Sequence, residues 1–241
     1  MDRKEKKRIY LKKITHVAGF QVWYVNGYWI RKNIDADFNN FGQHYRFKFI
    51  PKHEFWIDKE NGESETKYYI EHLLIENKLM EAGQSYDDAI DKADLIEKAE
   101  RGKDKFITKI EKEHKDKILK RIHKKLLKRL SDEVKVWIVH GNLVRSLYYI
   151  DFTQGGHDHV YDFVPRGEVW VDDDVYKKEM PFVILHELHE RRLMMADKKS
   201  KSLKECYEKA HKKASEMEIF YRHHPKKIKR KLIFEIKKNK I

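Results

Sequence analysis

The residues best suited to chemistry lie in the stretch Phe182-Val183-Ile184-Leu185-His186-Glu187-Leu188-His189-Glu190-Arg191-Arg192-Leu193-Met194. Read as a helix, it places His186 and Glu190 one turn apart on a face shared with Phe182, Val183, Leu193 and Met194. An imidazole and a carboxylate in an apolar stripe must be paired, hydrogen-bonded or bound to a metal, because burying them unsatisfied is costly. Glu187 follows His186 and is turned roughly 100° round the helix axis. Two ligands one turn apart with a carboxylate beside them can hold a divalent cation and take a proton from a water. The next predicted helix offers a third ligand, because Tyr207, His211, Ala214 and Glu218 fall at helical spacing. His211 completes a set with His186 and Glu190 and leaves a fourth position for water. The small Ala210 and Ala214 allow the two helices to approach closely. Glu218 is either an alternative ligand or a carboxylate that orients a ligand imidazole. His189, Tyr207 and His157 are further candidates. For His157, within Gly155-Gly156-His157-Asp158-His159, the competing reading is an ordinary exposed turn.

This block resembles the zincin type of metallopeptidase, in which a His-Glu-x-x-His helix is joined by a ligand further along the chain. The chain departs from that pattern at Glu190, where the family has its second histidine, and His189 is three residues from His186 rather than four. The same block is also similar to a group of uncharacterised phage and bacterial proteins, over most of residues 136–220. The resemblance implies a Zn2+-dependent hydrolase acting on a peptide or protein. In it His186, Glu190 and His211 would be the ligands and Glu187 the general base.

The scaffold for these residues is legible because the chain repeats itself. At a constant offset of 114 residues, Val22-Trp23-Tyr24-Val25-Asn26-Gly27 matches Val136-Trp137-Ile138-Val139-His140-Gly141, and Glu54-Phe55-Trp56-Ile57-Asp58 matches Glu168-Val169-Trp170-Val171-Asp172. A repeat of this length decides the architecture. The first copy keeps His72 and Glu76 opposite His186 and Glu190, and Glu97 opposite Glu218, but has Leu73, Ile75 and Ile90 where the second has Glu187, His189 and His211. It therefore reads as a degenerate copy. Its His72/Glu76 pair equally supports a structural role for such pairs in both copies.

Each copy predicts strands followed by two helices. Asn26-Gly27 and His140-Gly141 read as hairpin turns, with further short strands at Phe47–Ile50 and Tyr161–Val164. Pro181 suits a first helical turn, and Ser202 with Glu205 gives a capping box. The expected fold is α+β: two tandem units, each a small antiparallel sheet followed by two packed helices. The first copy spans 14–100 and the second 134–221. A basic connecting helix fills 101–133, with Ile107, Ile110, Ile118, Ile122, Leu126 and Leu130 along one face, and a basic tail covers 222–241, mobile or weakly helical after Pro225.

The net charge of +13 is concentrated at the ends and in the connector. Residues 1–13, 98–133 and 222–241 carry +5, +7 and +8, which leaves the rest of the chain near −7. Segments 1–13, 115–130 and 222–241 are candidates for nonspecific nucleic-acid binding, against the plainer reading of a lysine-rich solvated surface. This supports a second function class, a non-enzymatic interaction protein whose His/Glu pairs are structural. The single cysteine, Cys206, excludes an internal disulfide framework. The charged start and the lack of a long apolar run predict a cytoplasmic protein that does not enter a membrane.

Overall fold

The structure is a computed structural model that describes residues 3–129 and 134–239. The chain forms two compact units, the first comprising residues 1–114 and 145–151 and the second residues 115–144 and 152–241. Both are α+β, as the repeat predicts.

The first unit opens with α1 (Arg3–Ile9), β1 (Tyr10–Val17) and β2 (Phe20–Val25). It continues through α2 (Gly27–Asn33), β3 (Phe41–Gly42) and β4 (Glu54–Asp58). Two long helices follow, α3 (Thr66–Glu81) and α4 (Tyr86–Gly102), and then the short α5 (Lys105–Glu111). The second unit has α6 (Lys115–Ile122), β5 (His123–Arg129), β6 (Lys135–Val139), β7 (Gly155–His157) and β8 (Glu168–Asp172). It ends with α8 (Met180–Ala196), α9 (Leu203–His223) and α10 (Ile228–Lys238). The remaining helix, α7 (Gly141–Leu147), contains the point at which the chain passes from one unit to the other.

Each sheet has four strands, in the order β1-β2-β4-β3 and β5-β6-β8-β7. The sheets are mixed, not antiparallel as expected. The central pairs β2–β4 and β6–β8 are parallel, with Trp23 opposite Trp56 and Trp137 opposite Trp170. The reason lies at Gly27 and Gly141. Asn26 does not turn a hairpin: its side chain accepts from the Trp29 amide and caps α2. The glycine is needed because a Cβ there would fall inside the carboxylate of Asp58, and at Gly141 inside that of Asp172. The chain therefore enters a helix and crosses over to a parallel strand. The two-residue hairpin of the first unit sits at Ala18-Gly19, where φ is 47° and 87°.

Three other expectations are corrected. The segments around Phe47–Ile50 and Tyr161–Val164 are turns, held by bonds such as Ile50 N to Phe47 O and Val164 N to Tyr161 O. The long connecting helix is α5, α6 and the edge strand β5, so Leu126 pairs with Trp137 across a sheet and does not continue a helical stripe; Leu130 lies outside the described residues. Each unit's first strand thus lies partly or wholly outside the repeat read from the sequence. The tail is ordered as α10, whose Ile236 packs against the core of Val136, Val169, Val171, Val183 and Leu188.

Alternation along the strands explains the burial. In the first unit Val22, Tyr24, Phe55 and Ile57 face Tyr69 and Leu73 of α3, while Val25 and Trp56 join Ile30, Phe38 and Ile50 on the other side. In the second unit α8 is the central helix, with Leu185, Leu188, Glu190 and Arg191 all buried. Ser202 caps α9 by accepting from the Glu205 amide, as Ser85 caps α4.

Candidate metal centre

Three elements of the second unit converge on Glu190. From α8 come His186, Glu187 and Glu190, from α9 His211 and Glu218, and from the edge strand β7 His157. The Glu190 carboxylate is 3% exposed and accepts from imidazoles on both oxygens. Its Oε2 is 2.7 Å from His211 Nδ1 and 3.4 Å from His186 Nε2. Its Oε1 is 3.1 Å from His157 Nε2. The two nitrogens His186 Nε2 and His211 Nδ1 are 3.2 Å apart. Two sets of donors, each lying within 4.8 Å of one another, meet here: His186, Glu190 and His211, and His157, Glu187 and Glu190. All of the donors are nitrogen or carboxylate oxygen, which suits zinc and its neighbours in the first transition row.

Behind this cluster runs a relay of buried charges. His186 Nδ1 donates to Glu218 Oε2 at 2.8 Å, which turns Nε2 toward the cluster. Glu218 accepts from Arg222 Nε at 2.8 Å, and Arg222 clamps Glu179 through two bonds of 2.8 and 2.7 Å. The first unit contains the same relay. His72 Nδ1 donates to Glu97 at 2.9 Å, Arg101 Nε donates to Glu97 at 2.9 Å, and Arg101 holds Glu65 at 3.1 and 2.9 Å. The relay is thus common to both units.

The difference between the copies lies inside the relay. In the first unit Gln43 Nε2 donates to Glu76 at 2.6 Å in the place of His157. Leu73 replaces Glu187, Ile90 replaces His211, and Phe41 fills the space over His72, with ring centroids 4.9 Å apart. In the second unit Gly155 takes the place of Phe41. A Cβ at Gly155 would lie 2.9 Å from the Trp170 carbonyl and 3.2 Å from Glu187 Cγ. A glycine is thus required for Glu187 to occupy the cleared space.

The electrostatics follow from crowding carboxylates in a dry site. Burial, reinforced by the charge of Glu190, pushes Glu187 up to about 8. Burial works against the charged form of His186, but its bonds to Glu190 and Glu218 outweigh this and hold it well above the usual imidazole value. Glu190 is held far below the carboxylate range despite its burial, by bonds from His157, His186 and His211. Burial also opposes Glu218, yet His186 and Arg222 hold it at about 2. Glu187 is 9% exposed, and its side chain makes no hydrogen bond among the described residues. The His211 side chain is 45% exposed and forms the open side of the cluster.

The sequence candidates therefore separate. His186, Glu187, Glu190, His211 and Glu218 come together, and Glu218 is the residue that orients His186. Tyr207 lies beside the His211 ring, with centroids 5.2 Å apart. His157 is fully buried and faces Glu190, not an exposed turn; its signal was the same offset, which sets it opposite Gln43. His189 points away, to Glu235 of α10 at 2.9 Å. The relay arginines were missed, although Arg101 and Arg222 recur at the offset of 121 that also relates Glu97 to Glu218. Among the described residues no helix is long and apolar enough to cross a membrane. No family model matches the chain, and neither a curated protein nor a solved structure matches it.

Proposed function

We propose that the second unit is a metal-dependent hydrolase with a peptide or protein as substrate, and that the first is its inactive copy. His186, Glu190 and His211 are the ligands of a divalent cation, with Zn2+ the best match to the donor set. One observation carries this reading: around a relay shared by both copies, the second alone exchanges apolar or amide side chains for Glu187, His211 and His157 and clears a ring to admit them. A structural polar network has no need of those exchanges, since the first copy folds without them. A cation there would polarise a carbonyl and make water a better nucleophile near neutral pH. Glu187, in the dry space beside those ligands, is placed to take and return a proton.

The test is hydrolysis of a quenched fluorescent peptide library by protein purified without an affinity tag, before and after chelation. Chelator-sensitive cleavage that Glu187→Gln reduces by about 100-fold or more supports the reading. Cleavage that is indifferent to chelator, or to His186→Ala, overturns it.

A further inference from the structure

We infer that the second unit binds two cations, bridged by Glu190, with His157 and Glu187 as the ligands of the second. The inference rests on the proposed metal-binding reading of this unit and extends it.

Glu190 has two oxygens, and they face different donors. Oε2 looks toward His186 and His211, at 3.4 and 2.7 Å, and the two imidazole nitrogens are 3.2 Å from each other. For metal–ligand bonds of about 2.0 Å in tetrahedral array, neighbouring donors lie about 3.3 Å apart. These three donors therefore enclose one cation position. Oε1 looks toward His157 Nε2 at 3.1 Å, and Glu187 stands with these two as a separate donor set within 4.8 Å. His186 and His211 do not belong to that set.

The independent observation is Glu187 itself. Glu187 is 9% exposed, and its carboxylate, which still reaches solvent, has no hydrogen-bond partner among the described residues. A cation ligated by Glu187, His157 and Glu190 Oε1 would give it a partner; ligation through Nε2 moves the His157 proton to Nδ1 and displaces the bond that Nδ1 accepts from His159 N at 3.2 Å. Leu73 and Gln43 stand at these two places in the first copy. Gly155 leaves room at this place, since a Cβ there would lie 3.2 Å from Glu187 Cγ. With the second position empty, Glu187 is a free carboxylate beside the first cation. With it filled, Glu187 is a ligand.

The test is Zn2+ stoichiometry on the full chain, stripped with chelator, dialysed against buffered Zn2+ and measured by mass spectrometry and titration calorimetry. Wild type should bind two equivalents. His157→Gln, which installs the residue the first copy folds with, should bind one, as should Glu187→Gln, and both should keep the wild-type circular dichroism. His211→Ala should lose the other equivalent. A single equivalent in wild type overturns the two-cation inference and leaves the metal-dependent reading standing. No bound Zn2+ in wild type overturns both.

Discussion

Gln43 and His157 hold the same place in the two copies, each donating from its Nε2 to the helix carboxylate, at 2.6 Å to Glu76 and at 3.1 Å to Glu190. The bond is the same in kind, but the imidazole is the better ligand for a transition metal. The second unit thus differs from the first by a few side chains at fixed backbone positions, and this makes the first unit convertible. Phe41→Gly, Gln43→His, Leu73→Glu and Ile90→His together should give the first unit a Zn2+ site. The chain carrying all four, with His186→Ala and His211→Ala in the second unit, should bind Zn2+ that the same chain without the four does not. Equal metal content in the two would show that the relay does not present His72 as it presents His186.

Glu218 acts on the candidate centre through His186. Glu218→Gln removes the charge that holds the imidazole in its ligating orientation, so Zn2+ affinity should fall about 10–100-fold in competition with a chromophoric chelator. Arg222→Ala is expected to be worse for stability, because it removes the guanidinium shared by the buried Glu179 and Glu218. Losing one partner of a buried pair costs roughly 3–5 kcal/mol, and urea denaturation followed by circular dichroism reads it directly.

Glu235 fastens α10 to α8. Burial alone would raise its pKa, but bonds from His189, Arg192 and Lys231 hold it at about 2, below the usual value of 4.5. A depressed carboxylate contributes stability that is fully present above pH 4.5 and is lost as pH falls through about 2. Undocking of α10 should therefore begin below about pH 4.5, seen as increased amide exchange at Ile236. Glu235→Gln should show that exchange already at neutral pH.

Asp94 in the first unit has the opposite sign. Burial, with the neighbouring charge of Asp151, pushes it up to about 8 from the ordinary 3.8. A raised carboxylate contributes stability that is present below pH 3.8 and lost as pH rises through about 8. Asp94→Asn removes that dependence. Its melting temperature should exceed that of wild type by roughly 2–4 °C at pH 8, the shift that about 1 kcal/mol produces in a chain of this size. The difference should shrink on acidification. An Asp94→Asn chain no more stable than wild type at pH 8 would count against proton sharing with Asp151.

The duplication, the helix carrying His186 and Glu190, and the facing His211 were legible because helical spacing and a gapless repeat are local properties of sequence. The parallel strand pairs were not. Asn26-Gly27 carries the strongest local hairpin signal, but the glycine answers to Asp58, a residue that only the folded chain brings near. His157 was misjudged for a similar reason. A glycine-rich polar segment looks solvated until β7 is seen pairing with β8, which turns His157 inward. In the tail, Arg222 and Glu235 look like solvated charge, yet both are buried by partners more than forty residues away.

The segment Arg145–Asp151 belongs to the first unit, where Arg145 Nε donates to Glu65 Oε2 at 2.8 Å. Glu65 is also the far end of the first unit's relay, so its buried charge is shared between Arg101 and a residue that the ribosome adds eighty positions later. The first unit is therefore not complete when its own repeat has been synthesised. It waits for the start of the second repeat, which supplies Arg145. Of two copies related by a 114-residue offset, the first thus borrows one segment from the second.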